Sequence, residues 1–121
     1  MSSVNRTVDN ILKGKITIIQ LKYGFRYGFD SVFLAAFVNS FLLQYKIKDV
    51  LLADVGSGVG TISLIIAYKN KKIKLTAIEN NDHYLELARE NIINNNFHKQ
   101  INLLNSDVLN INKDLLNTFD I

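Results

Sequence analysis

The sequence contains no cysteine and no proline, and its net charge is only +3. Without cysteine there is neither a disulfide framework nor a thiolate metal site. A secretory signal is also missing, because the opening "MSSVNRTVDN" is polar and lacks an apolar core; the cytosol is the default compartment. No run reads as a membrane span. The longest nearly uncharged stretch, Val50 to Tyr68, contains Asp54 and three glycines and changes from a strand-like to a helix-like pattern midway. The pI of about 9.2 is compatible with a nucleic-acid partner, but many ordinary domains carry as much positive charge. Abundant Asn, Ile and Lys, together with the absence of proline, read as the imprint of A+T-rich coding, so "NIINNNF" is given no functional weight.

What is present fits one α/β domain: 121 residues, 48% of them hydrophobic, with no fixed-period repeat and no Ser/Pro-rich linker. Ile11 to Gln20 places β-prone runs around Gly14, a small hairpin or extended arm. Asp30 to Tyr45 predicts a helix, with Val32, Phe33, Ala36, Phe37, Phe41 and Leu42 at helical spacing and Asp30 or Ser31 as N-cap. Residues 1–45 thus form an arm and helix, and the polar turn Lys46 to Asp49 separates them from 46–121. There "DVLLADVG", "IKLTAIE" and "INLLNSD" read as strands, alternating with the helical segments "TISLIIAYKN" and "DHYLELARENIINNN". Strands that are apolar throughout and alternate with helices predict a parallel, doubly wound sheet covered on both faces.

Gly56, Gly58 and Gly60 lie where a central strand turns into a helix, at the edge where open α/β sheets bind ligands. Taken alone, such a loop is equally a tight turn or a ligand cradle. A dinucleotide fingerprint needs a third glycine where Thr61 stands, and a phosphate-binding P-loop needs a lysine that Gly60-Thr61-Ile62 does not offer.

"DVGSGVG", Asp54 through Gly60, resembles motif I of the class I S-adenosylmethionine-dependent methyltransferases. The resemblance implies a Rossmann-like sheet and S-adenosyl-L-methionine as cofactor. It assigns Gly56, Ser57, Gly58 and Gly60 to the cofactor loop, Asp54 to the methionine end, Glu79 with the adjoining Asn80 to the ribose hydroxyls, and Asp107 to the adenine amine, with Ser106 and Val108 flanking the ring. A carboxylate suits the ribose because it offers two acceptor oxygens. At each position the competing reading is structural: a solvated strand end for Glu79, a turn for Asp107, a helix-dipole carboxylate for Asp54. Their joint placement on three successive strand ends favours the cofactor. A nicotinamide dehydrogenase shares Glu79 but conflicts with Thr61.

The preceding segment, Leu12 to Val38, is similar to the N-terminal signature of the bacterial valine-tRNA adenine-N6 methyltransferase family, a small-domain branch. The matching residues are Gly24, Phe25, Arg26, Phe29, Asp30 and Ser31, and the resemblance adds Arg26 and Asp30 to the cofactor site. It implies tRNA, or another RNA, as substrate. The family's Asn-Pro-Pro-Tyr type motif, which holds the target amine, has no counterpart in a chain without proline. With a family strand order of 3-2-1-4-5-7-6, the sequence supplies three strands and, at "FDI", the start of the fourth. The expectation is therefore a truncated class I sheet with an N-terminal hairpin and helix. Either it belongs to an RNA-adenine methyltransferase, completed by a complementary C-terminal polypeptide, or it is an inactive fragment that at most binds cofactor or a partner chain. The basic cluster "KNKKIK", Lys69 to Lys74, falls at the edge opposite the cofactor loops and reads as a solvated turn, whereas Lys22 and Arg26 are better placed for phosphate.

Overall fold

The β-prone runs flanking Gly14 pair as an antiparallel hairpin, β1 (Arg6–Ile11) and β2 (Ile16–Leu21), with Val8 opposite Ile19. The computed structural model describes residues 5–24 and 26–121. The first four residues of the polar N-terminus, and Phe25 of the glycine-aromatic-arginine stretch, lie outside the described residues. Lys15 N–H donates to Leu12 C=O at 3.1 Å to close the turn, and β1 extends back to Arg6 because it pairs along the whole of β2. Alternation along β2 buries Ile16, Ile18 and Gln20.

The predicted helix is α1 (Phe29–Gln44), but its N-cap is Gly28 rather than Asp30 or Ser31, and no side chain caps it. Asp30 instead lies in the first turn, where a carboxylate complements the helix dipole. Its buried face also differs from the expected one: Ser31, Ala35 and Leu42 face inward, while Phe33 and Phe37 are each 69% exposed. Val32 to Val38 is an unbroken apolar run, so periodicity could not separate its faces. Small side chains at 31 and 35 permit close approach to neighbouring elements. Phe29, Phe33, Phe37, Phe41 and Tyr45 consequently form an outward stripe at four-residue spacing, with the Phe41 and Tyr45 ring centroids 4.9 Å apart.

β3 (Leu51–Val55), β4 (Lys74–Glu79) and β5 (Ile101–Asn105) form a parallel sheet in the order β3-β4-β5, with Leu52 opposite Leu75 and Leu75 opposite Ile101. Crossovers through α2 (Thr61–Lys69) and α3 (Asp82–Asn94) link these strands, and Leu64 of α2 and Leu87 of α3 join Leu75 of β4 in one buried cluster. α3 starts cleanly because the Asn81 side chain caps it, accepting from His83 N–H at 3.0 Å and Tyr84 N–H at 3.2 Å. After β5 a 3-10 turn (Val108–Asn110) and α4 (Lys113–Leu116) return the chain to the far side of β3. There Asp120 N–H donates to Leu51 C=O at 2.8 Å and Ala53 N–H to Ile121 C=O at 2.9 Å, so the last residues bond to the edge of β3, where a fourth strand was expected, while the sheet itself has three strands. Leu75 and Ala77 on one face of β4, and Thr76 and Ile78 on the other, are all buried, in line with a sheet covered on both sides.

Ile16 and Ile18 of the hairpin, Leu42 of α1, Leu64 of α2, Leu75 of β4 and Leu87 of α3 belong to one buried cluster. Each such side chain contributes on the order of 1.5–3 kcal/mol by leaving water. No helix among the described residues is long and apolar enough to cross a membrane.

Candidate functional site

The glycine loop leaves β3 at the carboxyl edge of the sheet and is tied down from β4. Gly56 and Ser57 N–H both donate to Ile78 C=O, at 2.8 and 3.0 Å, and Gly60 N–H donates to Ser57 C=O at 2.9 Å. Gly60, the N-cap of α2, has φ 93°, and Gly58 has φ 56°; both conformations are disfavoured for residues with a Cβ. A Cβ placed on Gly58 would meet no protein atom within 4 Å, so that side of the loop is open to a ligand.

Glu79 ends β4 directly across from the loop. Its Oε1 accepts from Gly58 N–H at 2.9 Å, and its Oε2 accepts from Asn80 and Asn81 N–H, both at 3.0 Å. Its carbonyl accepts from Ser106 N–H at 3.1 Å, joining the end of β5 to the same cluster. Asp107 Oδ1 accepts from Leu109 N–H at 3.0 Å and caps the 3-10 turn. Gly56, Glu79, Asn80, Ser106, Asp107 and Val108 thereby line one shallow cleft of about 110 Å³.

The remaining predicted residues lie elsewhere. Asp54 faces a separate cavity of about 240 Å³ beneath α1, shared with Leu34, Val38, Ile62 and Ile121. Its Oδ2 accepts from Ser63 Oγ at 2.7 Å. Burial holds the Asp54 carboxyl above the ordinary aspartate range, opposed by the Ser63 hydrogen bond and reinforced by the negative charge of Glu79. Asp30 is exposed on the first turn of α1 and lines neither cavity. Arg26 is directed to the hairpin: it donates to Thr7 Oγ1 at 2.8 Å and Leu21 C=O at 2.7 Å, and pairs with Asp9 at 3.0 Å. These internal partners make Arg26 a brace between the loop and the hairpin and correct the expectation that it waits for phosphate. Lys22 rests over the Tyr23 ring at 5.7 Å.

Asn91 was missed by the sequence reading, which set the Asn-rich stretch aside. It is fully buried: its Oδ1 accepts from Ile19 N–H at 2.7 Å, and its Nδ2 donates to Ile19 and Val59 C=O, both at 2.9 Å. One turn later Asn95 repeats the pattern on Thr17, at 2.9 and 2.8 Å. The two amides stand in for a neighbouring strand along β2, and Asn91 also reaches the glycine loop through Val59. The available signal was the i, i+4 asparagine pair on one helix face.

Two polar atoms of the loop region, Ser57 Oγ and Thr61 Oγ1, are buried without a hydrogen-bond partner among the described residues. Orphaned hydroxyls, an open approach to Gly58 and a carboxylate across the cleft fit a ligand rich in hydroxyl and amine groups.

A parallel sheet with a glycine loop after its first strand and an acidic residue ending the second defines a Rossmann-like α/β domain. The methyltransferase small domain model matches residues 34–120, and the chain belongs to that family. Among curated relatives, it is 34% identical over 61 residues to a tRNA1(Val) (adenine(37)-N6)-methyltransferase of Vibrio vulnificus (strain YJ016), covering 50% of this chain and 26% of the relative. It is 32% identical over 93 residues to the enzyme of the same name from Flavobacteriaceae bacterium (strain 3519-10), covering 77% and 38%. The chain thus spans well under half the length of either relative. Among solved structures, TYW2 of M. jannaschii in complex with AdoMet superposes with a TM-score of 0.71 at 16% identity, covering 88% of this chain and 46% of that one, a likeness of fold.

Proposed function

We propose that these residues form the cofactor-binding part of an S-adenosyl-L-methionine-dependent methyltransferase that acts on the exocyclic amine of an adenine in tRNA. The observation that carries the reading is the single cleft uniting Gly56, Glu79, Asn80 and Asp107 at the carboxyl edge. Glu79 accepts the ribose hydroxyls, Asp107 and the Ser106 to Val108 segment hold the adenine, and Gly58 allows close approach of the ligand to the backbone. Asp54 attracts the cofactor's ammonium from beneath the loop. When bound, the cofactor supplies the transferable methyl; the protein supplies orientation and charge. The tRNA substrate is carried over from the names of the two curated relatives.

A second reading is cofactor binding without turnover by the 121 residues taken by themselves, among which no Asn-Pro-Pro-Tyr type motif occurs. Methyl transfer needs the acceptor held within about 3–3.5 Å of the donor. A complementary polypeptide would extend the pairing that Asp120 and Ile121 begin on β3. The test is methyl transfer from radiolabelled cofactor to unmodified tRNA, with and without the polypeptide encoded immediately downstream, alongside calorimetry with S-adenosylhomocysteine. Binding without turnover by the 121 residues, and turnover when the second polypeptide is added, is the expected result. Absence of S-adenosylhomocysteine binding by the folded chain would overturn both readings.

A further inference from the structure

The edge of the sheet opposite the cofactor cleft is a second chemical surface. The turn after α1 and the turn after α2 are far apart in sequence, yet they meet there. Lys46, Lys48, Lys69 and Asn70 border a cavity of about 410 Å³. It continues, through Lys48 and Asn70, into one of about 230 Å³ that also takes in Lys71 and Lys72. Lys74 follows Ile73 of that lining, and its Nζ donates to Lys99 C=O at 2.9 Å. These residues are seven of the chain's 14 lysines and arginines, and Asp49 is the only acidic residue in segments 46–49, 69–74 and 97–100. Among the described residues the ion pairs are Arg6–Glu90 and Arg26–Asp9, so none of these lysines is neutralised by a carboxylate.

The lysine-bearing turn is held firmly. Asn70 Nδ2 donates to Asn39 Oδ1 at 2.6 Å and Ile66 C=O at 2.8 Å, and Gln100 Nε2 donates to Asn70 and Ile73 C=O at 2.7 and 3.1 Å. The Lys71 ammonium sits 4.9 Å from the Tyr68 ring centroid. Favourable charge at a helix C-terminus accounts for Lys46 and Lys69, which follow α1 and end α2, but not for Lys48, Lys71, Lys72, Lys74 or Lys99. The cofactor edge has the opposite character, with Asp54, Glu79, Asp82 and Asp107, and so cannot itself draw in a polyanion.

We propose that this lysine-lined groove at the amino-terminal edge of the sheet binds the phosphate backbone of the RNA substrate, anchoring it about 17 Å, one five-residue strand, from the cofactor cleft. The inference rests on the RNA reading above and extends it: the groove supplies sequence-independent affinity, and the acidic edge supplies the chemistry. Two adjoining cavities with five lysines around an apolar floor of Leu42, Leu43 and Ile47 suit successive phosphates, whereas a lipid surface would call for an open plane.

The test is fluorescence anisotropy of a labelled unmodified tRNA transcript, titrated between 50 and 200 mM salt with about the same protein series. The variants are Lys48→Gln/Lys71→Gln/Lys72→Gln and, as a control of equal charge, Lys13→Gln/Lys15→Gln/Lys113→Gln. The groove variant should bind at least about tenfold more weakly, with the salt slope reduced by about 2 to 3, corresponding to the loss of about three phosphate contacts. The control should stay within about twofold of wild type, and circular dichroism and S-adenosylhomocysteine affinity should be unchanged in both. Equal losses in the two variants, or none in the groove variant, would overturn the groove while leaving the RNA reading standing. A wild-type chain that ignores tRNA would overturn both. Binding to phosphatidylserine vesicles that is lost in the groove variant while tRNA binding persists would assign the groove to membranes instead.

Discussion

The carboxylate of Glu79 accepts a hydrogen bond from the backbone N–H of Gly58 at 2.9 Å, so the residue proposed to hold the ribose also holds the cofactor loop in shape. Its other oxygen is shared between Asn80 and Asn81 N–H. Glu79→Ala removes both functions and should weaken S-adenosylhomocysteine binding by about 1–3 kcal/mol in calorimetry. Glu79→Gln keeps one acceptor oxygen and should lose less. If a 2′,3′-dideoxy analogue discriminated between wild type and Glu79→Ala as strongly as the natural ligand does, the effect would belong to the loop and not to ribose recognition.

Gly58 separates space from conformation. An added Cβ meets open space, but the backbone lies in the left-handed region. Gly58→Val should therefore fold with a penalty of about 1–2 kcal/mol in urea denaturation and lose measurable ligand binding, because its branched side chain fills the approach. Gly58→Asn, a residue more tolerant of this conformation, should recover the stability without recovering the affinity. Unchanged affinity in a folded Gly58→Val variant would remove the loop from the site.

Two aspartates should give opposite pH signatures. Asp9 is held below the ordinary aspartate range, chiefly by the hydrogen bond from Gln20, partly offset by burial and supported by Thr7 and Arg26. Its contribution to stability is present above the unfolded value of 3.8 and is lost as pH falls through the lower folded value. Asp54 is raised, so its effect is the reverse: stability falls as pH rises from 3.8 through the higher folded value. Asp54→Asn should flatten that rise-dependent loss and increase the neutral-pH melting temperature, while weakening affinity for the ammonium-bearing ligand. For wild type, that affinity should decline on acidification at a higher pH than an ordinary aspartate would give. Melting curves and calorimetry across the acid range check both halves.

Asn91 joins three pieces of chain, β2, α3 and the glycine loop. Asn91→Ala would leave Ile19 N–H and C=O and Val59 C=O without their amide partner, and should cost about 2–4 kcal/mol in chemical denaturation. Asn91→Asp keeps the acceptor toward Ile19 N–H but turns a carboxylate toward two carbonyls. It should be at least as damaging at neutral pH and should recover partly on acidification.

The alternation of apolar strands and helices made β3 to β5 legible, whereas Asp54, Glu79 and Asp107 were singled out by the resemblance to motif I and the motifs that follow it. Sequence order along a parallel sheet translates into position along its carboxyl edge, and Glu79 and Asp107, from neighbouring strand ends, do line one cleft. It does not reveal what lies above or below, and Asp54 accordingly faces a different cavity from Glu79. α1 was recognised as a helix, yet its inward face was misread because Phe33, Phe37 and Ala35 are all apolar and only shape decides among them. Long-range polar contacts were invisible for a related reason. Nothing in the local pattern says that Asn91 will meet Ile19, that Arg26 will meet Asp9, or that Lys48 will lie beside Lys71.

The aromatic stripe of α1 has a practical consequence for following the stability of this chain with dyes. Environment-sensitive dyes report unfolding because they brighten on newly exposed apolar surface, and dye binding by a folded chain is commonly taken as the mark of a molten globule. Here the native helix already presents Phe29, Phe33, Phe37 and Tyr45 to solvent. The folded chain should therefore brighten such a dye before any heating, and the signal should drop when a ligand or polypeptide covers the stripe. Dye-based melting curves would start from a high baseline and could register docking as a change in stability. Circular dichroism is free of that ambiguity, whereas intrinsic tyrosine fluorescence is not, because Tyr45 belongs to the stripe.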